Sequence, residues 1–306
     1  MEDKKRADKR ISLHEAVSKY VKPGYSVGFS GMAGEQLVAP THEIIRQQIG
    51  GLTLVGDSPC DCGDLLAGSG LIDRMEIAWC GYAVAGMGAN FRRAIEKQIP
   101  HPITINDHSN FGIGLRYMAG AMGVPFLPTK SFLASDLLTY NEDIKVIDDP
   151  FGSGPVALVP ALSPDVAFIH CTRADRHGNA QIFGFSANAE NLARSAKHTV
   201  ITCERIVSDD VIRETPNLTI IPQYAVDAVV EVPFGSHPWN YPYEYQYDMP
   251  FHMDMIKAFK TREGFENWLQ EWVFDVPDWE GYLNKVGYDR LQKLSALEHK
   301  FQTAPY

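Results

Sequence analysis

Apolar and polar positions along the chain repeat in two periods, and the shorter period is clearest between residues 156 and 184. Two apolar runs, 156–159 and 166–170, are separated by Ser163-Pro164-Asp165, and a third short run follows at 181–183. Runs of this length, partly β-branched and bounded by Pro, Asp and Gly, predict strands buried on both faces. Ligands in open sheets of such strands sit beyond the carboxyl ends. His170, Arg173, Asp175 and Asn179 are therefore candidates for chemistry. The plainer account, which turn chemistry favours, is a tight turn in which Asp175 bonds its own backbone and Gly178 supplies positive φ.

The helical period appears first at Leu13, Ala16, Val17, Tyr20 and Val21, behind the capping-box pattern Ser12-Leu13-His14-Glu15. Strands at 25–30, 52–56, 75–79 and 103–106 then alternate with helices at 41–49, 64–67, 91–97 and 109–122. Such alternation predicts an α/β fold, a mainly parallel sheet with helices on both faces. Residues 129–150 read as polar loop with some helix, and a helix at 187–197 leads to strands at 199–203 and 226–231. The run 236–251, SHPWNYPYEYQYDMPF, is rich in Tyr, Trp and Pro and nearly free of aliphatics. It reads as a packed surface loop or an interface. From 254 to about 293 the pattern is helical, with Phe265, Trp268, Leu269 and Trp272 on one side. The expected partition is a disordered tail over 1–10 and a single domain over 11–306. That domain carries a helical C-terminal extension from about 252.

Composition narrows the classes of function. The 306 residues carry a formal charge of −10, which argues against nucleic acid or an anionic membrane as partner. No apolar run approaches the length of a membrane span, and the polar N-terminus lacks a signal core. Five cysteines at irregular spacing read as free thiols in a reducing compartment, so cytoplasm is the expected location.

Three segments invite a chemical reading. Ser30-Gly31-Met32-Ala33-Gly34 ends a strand in a glycine-rich turn that lets backbone N–H groups approach a phosphate or oxyanion; a purely structural turn is an equal alternative. Cys60 and Cys62 have no Cys or His pair at zinc spacing and read as buried thiols. Asn106-Asp107-His108-Ser109-Asn110 joins a strand end to a helix start, with Ser109 or Asn110 as N-cap. Asp107, at the strand end, is a candidate general base or substrate-orienting carboxylate.

These residues resemble the A (alpha) subunit of family I CoA-transferases, most closely that of glutaconate CoA-transferase. The likeness runs from about Ser12 to Gly287. It includes Ser30-Gly31-Met32 where the family has Gly-Gly-Phe, Asp107 and Ser109 in a D-x-S segment, and Gly123-Val124-Pro125-Phe126-Leu127-Pro128. It continues through Asp165-Val166-Ala167-Phe168-Ile169-His170, Thr202-Cys203-Glu204, Gly235-Ser236-His237-Pro238 and Tyr247-Asp248-Met249-Pro250-Phe251. The resemblance implies a CoA-transferase-like fold and CoA as co-substrate, with no permanently bound cofactor and no metal. It implies transfer of CoA between an acyl-CoA and a carboxylic acid, with ping-pong kinetics through a glutamyl-CoA thioester. The nucleophilic glutamate belongs to a partner B (beta) subunit, so a heterotetramer or larger is expected. The acidic balance suggests that the partner chain meets most of the nucleotide phosphates.

On this chain the resemblance implies substrate contacts at Ser30, Gly31, Met32, Tyr82, Ser109 and Phe126. Cys80-Gly81-Tyr82-Ala83 replaces a Thr-Ala-Asn-Ser run of the glutaconate-type chains, and Tyr82 in place of a small serine points away from a short dicarboxylate. Relatives of the same fold work as a ring-cleaving CoA-thioester hydrolase and as a decarboxylase. In that alternative Asp107 is the catalytic base. A third reading is a non-catalytic partner subunit.

Overall fold

The computed structural model describes residues 7–32, 35–82 and 85–302, so Ala33, Gly34 and Ala83 of the segments above lie outside the described residues. The first half of the chain runs α1 (Leu13–Tyr20), β1 (Ser26–Met32), α2 (Val38–Arg46), β2 (Leu52–Ser58), α3 (Cys60–Ser69), β3 (Ile72–Ile77), β4 (Gly81–Tyr82), β5 (Gly86–Met87), α4 (Ala89–Lys97), β6 (Thr104–Asp107), α5 (Asn110–Met122), β7 (Phe126–Thr129), α6 (Leu137–Tyr140) and β8 (Lys145–Asp148). The second half runs β9 (Pro155–Pro160), β10 (Val166–Asp175), β11 (Ala180–Gln181), α7 (Ala189–Ser195), β12 (His198–Val207), α8 (Asp209–Glu214), β13 (Thr219–Ile221), β14 (Ala228–Glu231), α9 (Met249–Phe259), α10 (Arg262–Leu269), α11 (Trp279–Val286) and α12 (Tyr288–Gln302). The capping box at α1 forms as its sequence predicts: Ser12 Oγ accepts from Glu15 N, and the Glu15 carboxylate accepts from Ser12 N.

A nine-stranded sheet organises the molecule. β1, β2, β3 and β6 pair in parallel in that order, and β10, β12 and β14 continue in parallel from the other edge of β1. Side chains alternate between the two faces, as the pleat requires. Val166, Phe168, Val200 and Val230 enter one core with α1, α2, α3 and the C-terminal helices. Ala167, Ile169, Ile201 and Val229 enter the other, with α5 and α7. Both faces are covered, which is why these strands read as near-continuous apolar runs.

Three expectations are corrected. β9 is not a strand of the main sheet buried on both faces. It is the middle strand of a separate antiparallel sheet, β7-β9-β8. Ala157 and Val159 face Phe132 and Ile144, while Val156 and Leu158 are only half-buried. The stretch 129–150, expected as polar loop with some helix, contains α6 but also supplies β8, because pairing with β9 gives its backbone partners that its polar sequence does not advertise. The aromatic run is no surface loop: Trp239, Tyr241 and Tyr245 are buried, together with Ser236, His237 and Asp248. Its polar tips find interior partners, among them Asp61 for the Trp239 indole and His170 O for Tyr241 at 3.2 Å.

The ends of the chain tie into the same body. Phe251, Phe259, Phe265 and Trp268 join the first core. Within the segment expected as a disordered tail, Lys9 is tied down: its N–H donates to Arg176 O at 2.8 Å, and its Nζ donates to Gln223 O and Val226 O.

Candidate active site

The carboxyl end of β1 is where the sheet opens. β1 and β10 pair only from Val27↔Val166 to Phe29↔Phe168. β10 continues alongside β12 as far as Asp175↔Val207, and β11 covers it from Arg173 to Ala174. Between Phe168 and Arg173 the β1-side edge of β10 is therefore left without a strand, a crevice between strands into which the buried Tyr241 packs. The strands that follow β1 lie on one side of it, and those that follow β10 lie on the other. That reversal of strand order is the topological switch point at which open α/β sheets bind ligands.

Backbone geometry is irregular beside this crevice. The β1–β2 register shifts between Phe29 and Met32, so Ser30 and Gly31 form a bulge of the kind found beside active sites. Gly31 has φ +99°, and a Cβ there would stand 2.2 Å from Glu35 O. Only glycine fits. Glu35 has positive φ of its own, 51°, and its N–H donates to Asn240 O at 3.3 Å.

Two carboxyl groups at this end of the sheet are held without a cation. Burial alone pushes Glu35 up to about 7, and no described residue provides its carboxylate with a hydrogen bond or an ion pair. Asp57, near the end of β2, is 4% exposed. Its Oδ2 accepts from Asn188 Nδ2 at 2.9 Å, while its Oδ1 and the buried Tyr117 hydroxyl have no partner among the described residues. Burial raises Asp57 to about 6 against the pull of the Asn188 bond. Desolvation without a counter-charge favours the neutral acid, and such groups cluster at functional sites. Ser58, next in line, accepts from Gln36 Nε2 through its carbonyl and donates to Asn110 Oδ1 at 3.4 Å.

The residues singled out in the sequence fall in four places. Ser30 and Gly31 form the crevice bulge, and Met32 pairs with Ser58 at the end of β1. Asp107 ends β6 at the edge of the sheet, three strand spacings or about 14 Å from β1. It is exposed, and its carbonyl accepts from Asn141 Nδ2 at 2.7 Å. Ser109 caps α5, accepting from Gly112 N at 2.9 Å. Phe126 is exposed on the small sheet, in an apolar groove with Pro128, Ile147, Phe151, Val156 and Leu158. Tyr82 is buried, and its hydroxyl donates to Asp64 at 2.9 Å.

His170 and Asp175 belong to the framework. His170 Nε2 lies 2.7 Å from Glu204 Oε1, and Nδ1 lies 2.9 Å from Thr202 Oγ1. Asp175 accepts from His177 N and Asn179 N and closes the predicted turn, with Gly178 at φ +98°. Sequence reasoning missed Glu35 and Asp57. Asp57 ends a strand just as Asp107 does, and the same rule would have marked it. Among the described residues no group of three or more His, Cys, Asp or Glu is placed to hold a metal ion. No described helix is long and apolar enough to cross a membrane.

The family model for coenzyme A transferases matches residues 10–232, from the N-terminal segment that bridges to β14 at Val229 to just past the end of β14. The chain belongs to the coenzyme A transferase family. It is 34% identical to the A subunit of glutaconate CoA-transferase from Acidaminococcus fermentans, over 94% of this chain and 95% of that one. The solved structure of that enzyme superposes with a TM-score of 0.88, again over 94% and 95% of the two chains. The A subunit of 3-oxoadipate CoA-transferase from Pseudomonas knackmussii is also 34% identical, over 90% of this chain and 97% of that one. A protein of Archaeoglobus fulgidus is 40% identical over 95% of this chain, which spans 65% of its length.

Proposed function

We propose that this chain is the A subunit of a heteromeric CoA-transferase that moves CoA from an acyl-CoA to a carboxylic acid, dicarboxylic or bulkier. The observation that carries this reading is the bulge where only glycine fits, at Gly31, beside the break in strand pairing at the β1–β10 switch point, in a chain of the coenzyme A transferase family. The similarity to two proteins named as A subunits supports a B-subunit partner, in a heterotetramer or larger.

The partner supplies a glutamate carboxylate that attacks the thioester carbonyl. CoA leaves as thiolate and an acyl–glutamyl anhydride forms; the thiolate then attacks the glutamyl carbonyl and releases the first acid. The acceptor acid reverses both steps with its own carboxylate, which gives ping-pong kinetics. This chain walls the acyl pocket. The Ser30–Gly31 bulge directs backbone N–H groups at the oxyanion that forms on the acyl carbon, where a preorganised donor contributes most. Met32 continues the strand past the bulge, and Ser109, Asp107 and Phe126 would reach substrate only where it extends away from β1. Tyr82 fixes the wall through Asp64 instead of presenting its hydroxyl to substrate.

The test is to co-produce the chain with its B-type partner, assay CoA exchange between acyl-CoA and free acids, and add borohydride after acyl-CoA alone. The expected result is inactivation with reduction of one glutamate on the partner. Release of CoA to water with no trapped adduct would replace transfer with hydrolysis.

A further inference from the structure

One acidic side chain lies beside the Ser30–Gly31 bulge, that of the half-buried Glu35. Its Cβ is 3.7 Å from where a Cβ on Gly31 would lie, and its backbone is pinned by Asn240 O. The opposite wall is Tyr241, whose hydroxyl donates at 3.2 Å to His170 O, within the stretch of β10 that no strand covers.

The charged and titratable groups around this wall do not neutralise Glu35. Tyr241 senses the Glu35 charge along with those of Cys171 on β10 and Glu204 on β12, and each of the three, if ionised, would be negative. His170, which can carry positive charge, commits both ring nitrogens to Glu204 and Thr202. A carboxyl group half-buried without a counter-charge is favoured as the neutral acid, and a neutral acid is a donor toward developing negative charge.

We propose that Glu35, as the protonated acid, donates a hydrogen bond to the thioester carbonyl oxygen and to the oxyanion formed from it, beside the backbone N–H groups of the Ser30–Gly31 bulge. The proton stays on Glu35, so no bond is made or broken there. This inference rests on the CoA-ester reading of the crevice and deepens it. Burial with no counter-charge, which raises Glu35 to about 7, sets the pH range in which the donor is available.

Two measurements on the complex with the B-type partner test the proposal. The first is the pH profile of acyl-CoA consumption, followed as exchange or as CoA release. The wild type loses about tenfold per pH unit above the Glu35 pKa. Glu35→Gln, whose amide donates at every pH, lacks that alkaline limb, and Glu35→Ala is slower by about 100-fold at pH 6. The second is the infrared carbonyl band of a bound, unreactive acyl-CoA analogue. It shifts to lower frequency at pH 6 in the wild type and in Glu35→Gln, but not in Glu35→Ala.

An unaltered alkaline limb in Glu35→Gln, or the same band position in Glu35→Ala, overturns the role of Glu35 while leaving CoA transfer intact. A band shift without exchange keeps Glu35 and removes the transferase reading. An analogue that does not bind overturns both.

Discussion

Two polar regions meet near the carboxyl end of β10, and they are built on opposite terms. In one, Glu204 is saturated. It accepts from Phe234 N at 2.6 Å, Gly235 N at 3.2 Å and the Tyr245 hydroxyl at 3.1 Å, and it faces His170 at 2.7 Å. In the other, among the described residues, the half-buried Glu35 carboxylate has no partner and the buried Asp57 has an incomplete set. A satisfied buried acid fixes one arrangement of chain; an unsatisfied one carries a persistent cost and is retained where a ligand supplies the missing partner. Burial alone would have marked both regions as sites. The state of their hydrogen bonds separates architecture from chemistry.

The largest effect expected from this contrast is in the saturated region. Glu204→Ala strands His170, Tyr245 and two backbone N–H groups in the interior and should cost about 3–5 kcal/mol, read by urea unfolding. A loss under 1 kcal/mol would mean that the network is not the anchor of the aromatic segment. Gly31→Ala acts in the crevice. The added Cβ meets Glu35 O and sits at φ +99°, so the bulge must move. We expect acyl-CoA turnover in the complex to fall about 100-fold, the scale of a misplacement near 1 Å, with strain of about 1–3 kcal/mol in unfolding. Turnover close to wild type would remove the bulge from the site.

Asp57→Asn should stabilise the protein, and only above a certain pH. The folded-state pKa is raised from 3.8 to about 6, so wild-type stability is undiminished below the lower value. It declines as pH rises from there through 6, then levels off. Asn carries no charge, so the variant should match wild type at about pH 3.5 and exceed it by about 2–3 kcal/mol at about pH 7.5. An equal difference at both pH values would mean that Asp57 is paired in the folded state. The smallest effect belongs to Asp107→Asn. It is an exposed edge residue, so unfolding should change by about 0.5 kcal/mol or less, and CoA exchange should persist. A sharp loss of CoA release to water would return Asp107 to the role of base in hydrolysis.

Much of the sheet was legible. The apolar runs at 166–170 and 199–203 are near-continuous because β10 and β12 are covered on both faces, and the Ser12 capping box and the Asp175 turn are local devices that need no tertiary context. Legibility failed where the partner, not the segment's own pattern, decides the element. Residues 145–148 form a strand because the neighbouring β9 pairs with them, and the aromatic segment is interior because Asp61, Glu204 and the His170 carbonyl, all distant in sequence, receive its polar tips. The site divides the same way. Gly31 stood out as part of a glycine-rich strand end, although a structural turn read equally well, whereas Glu35 resembles any polar loop residue until the fold sets it beside Gly31 and Asn240.

The sequence by itself determined the α/β class, the capping and turn chemistry, and membership of the coenzyme A transferase family, because periodicity, local bonding and motif order are properties of neighbouring residues. Only the tertiary structure decided which strand ends open into a crevice and which acids there lack partners. Whether a carboxyl group is desolvated or paired depends on residues brought together from β1, β10 and the segment after β14.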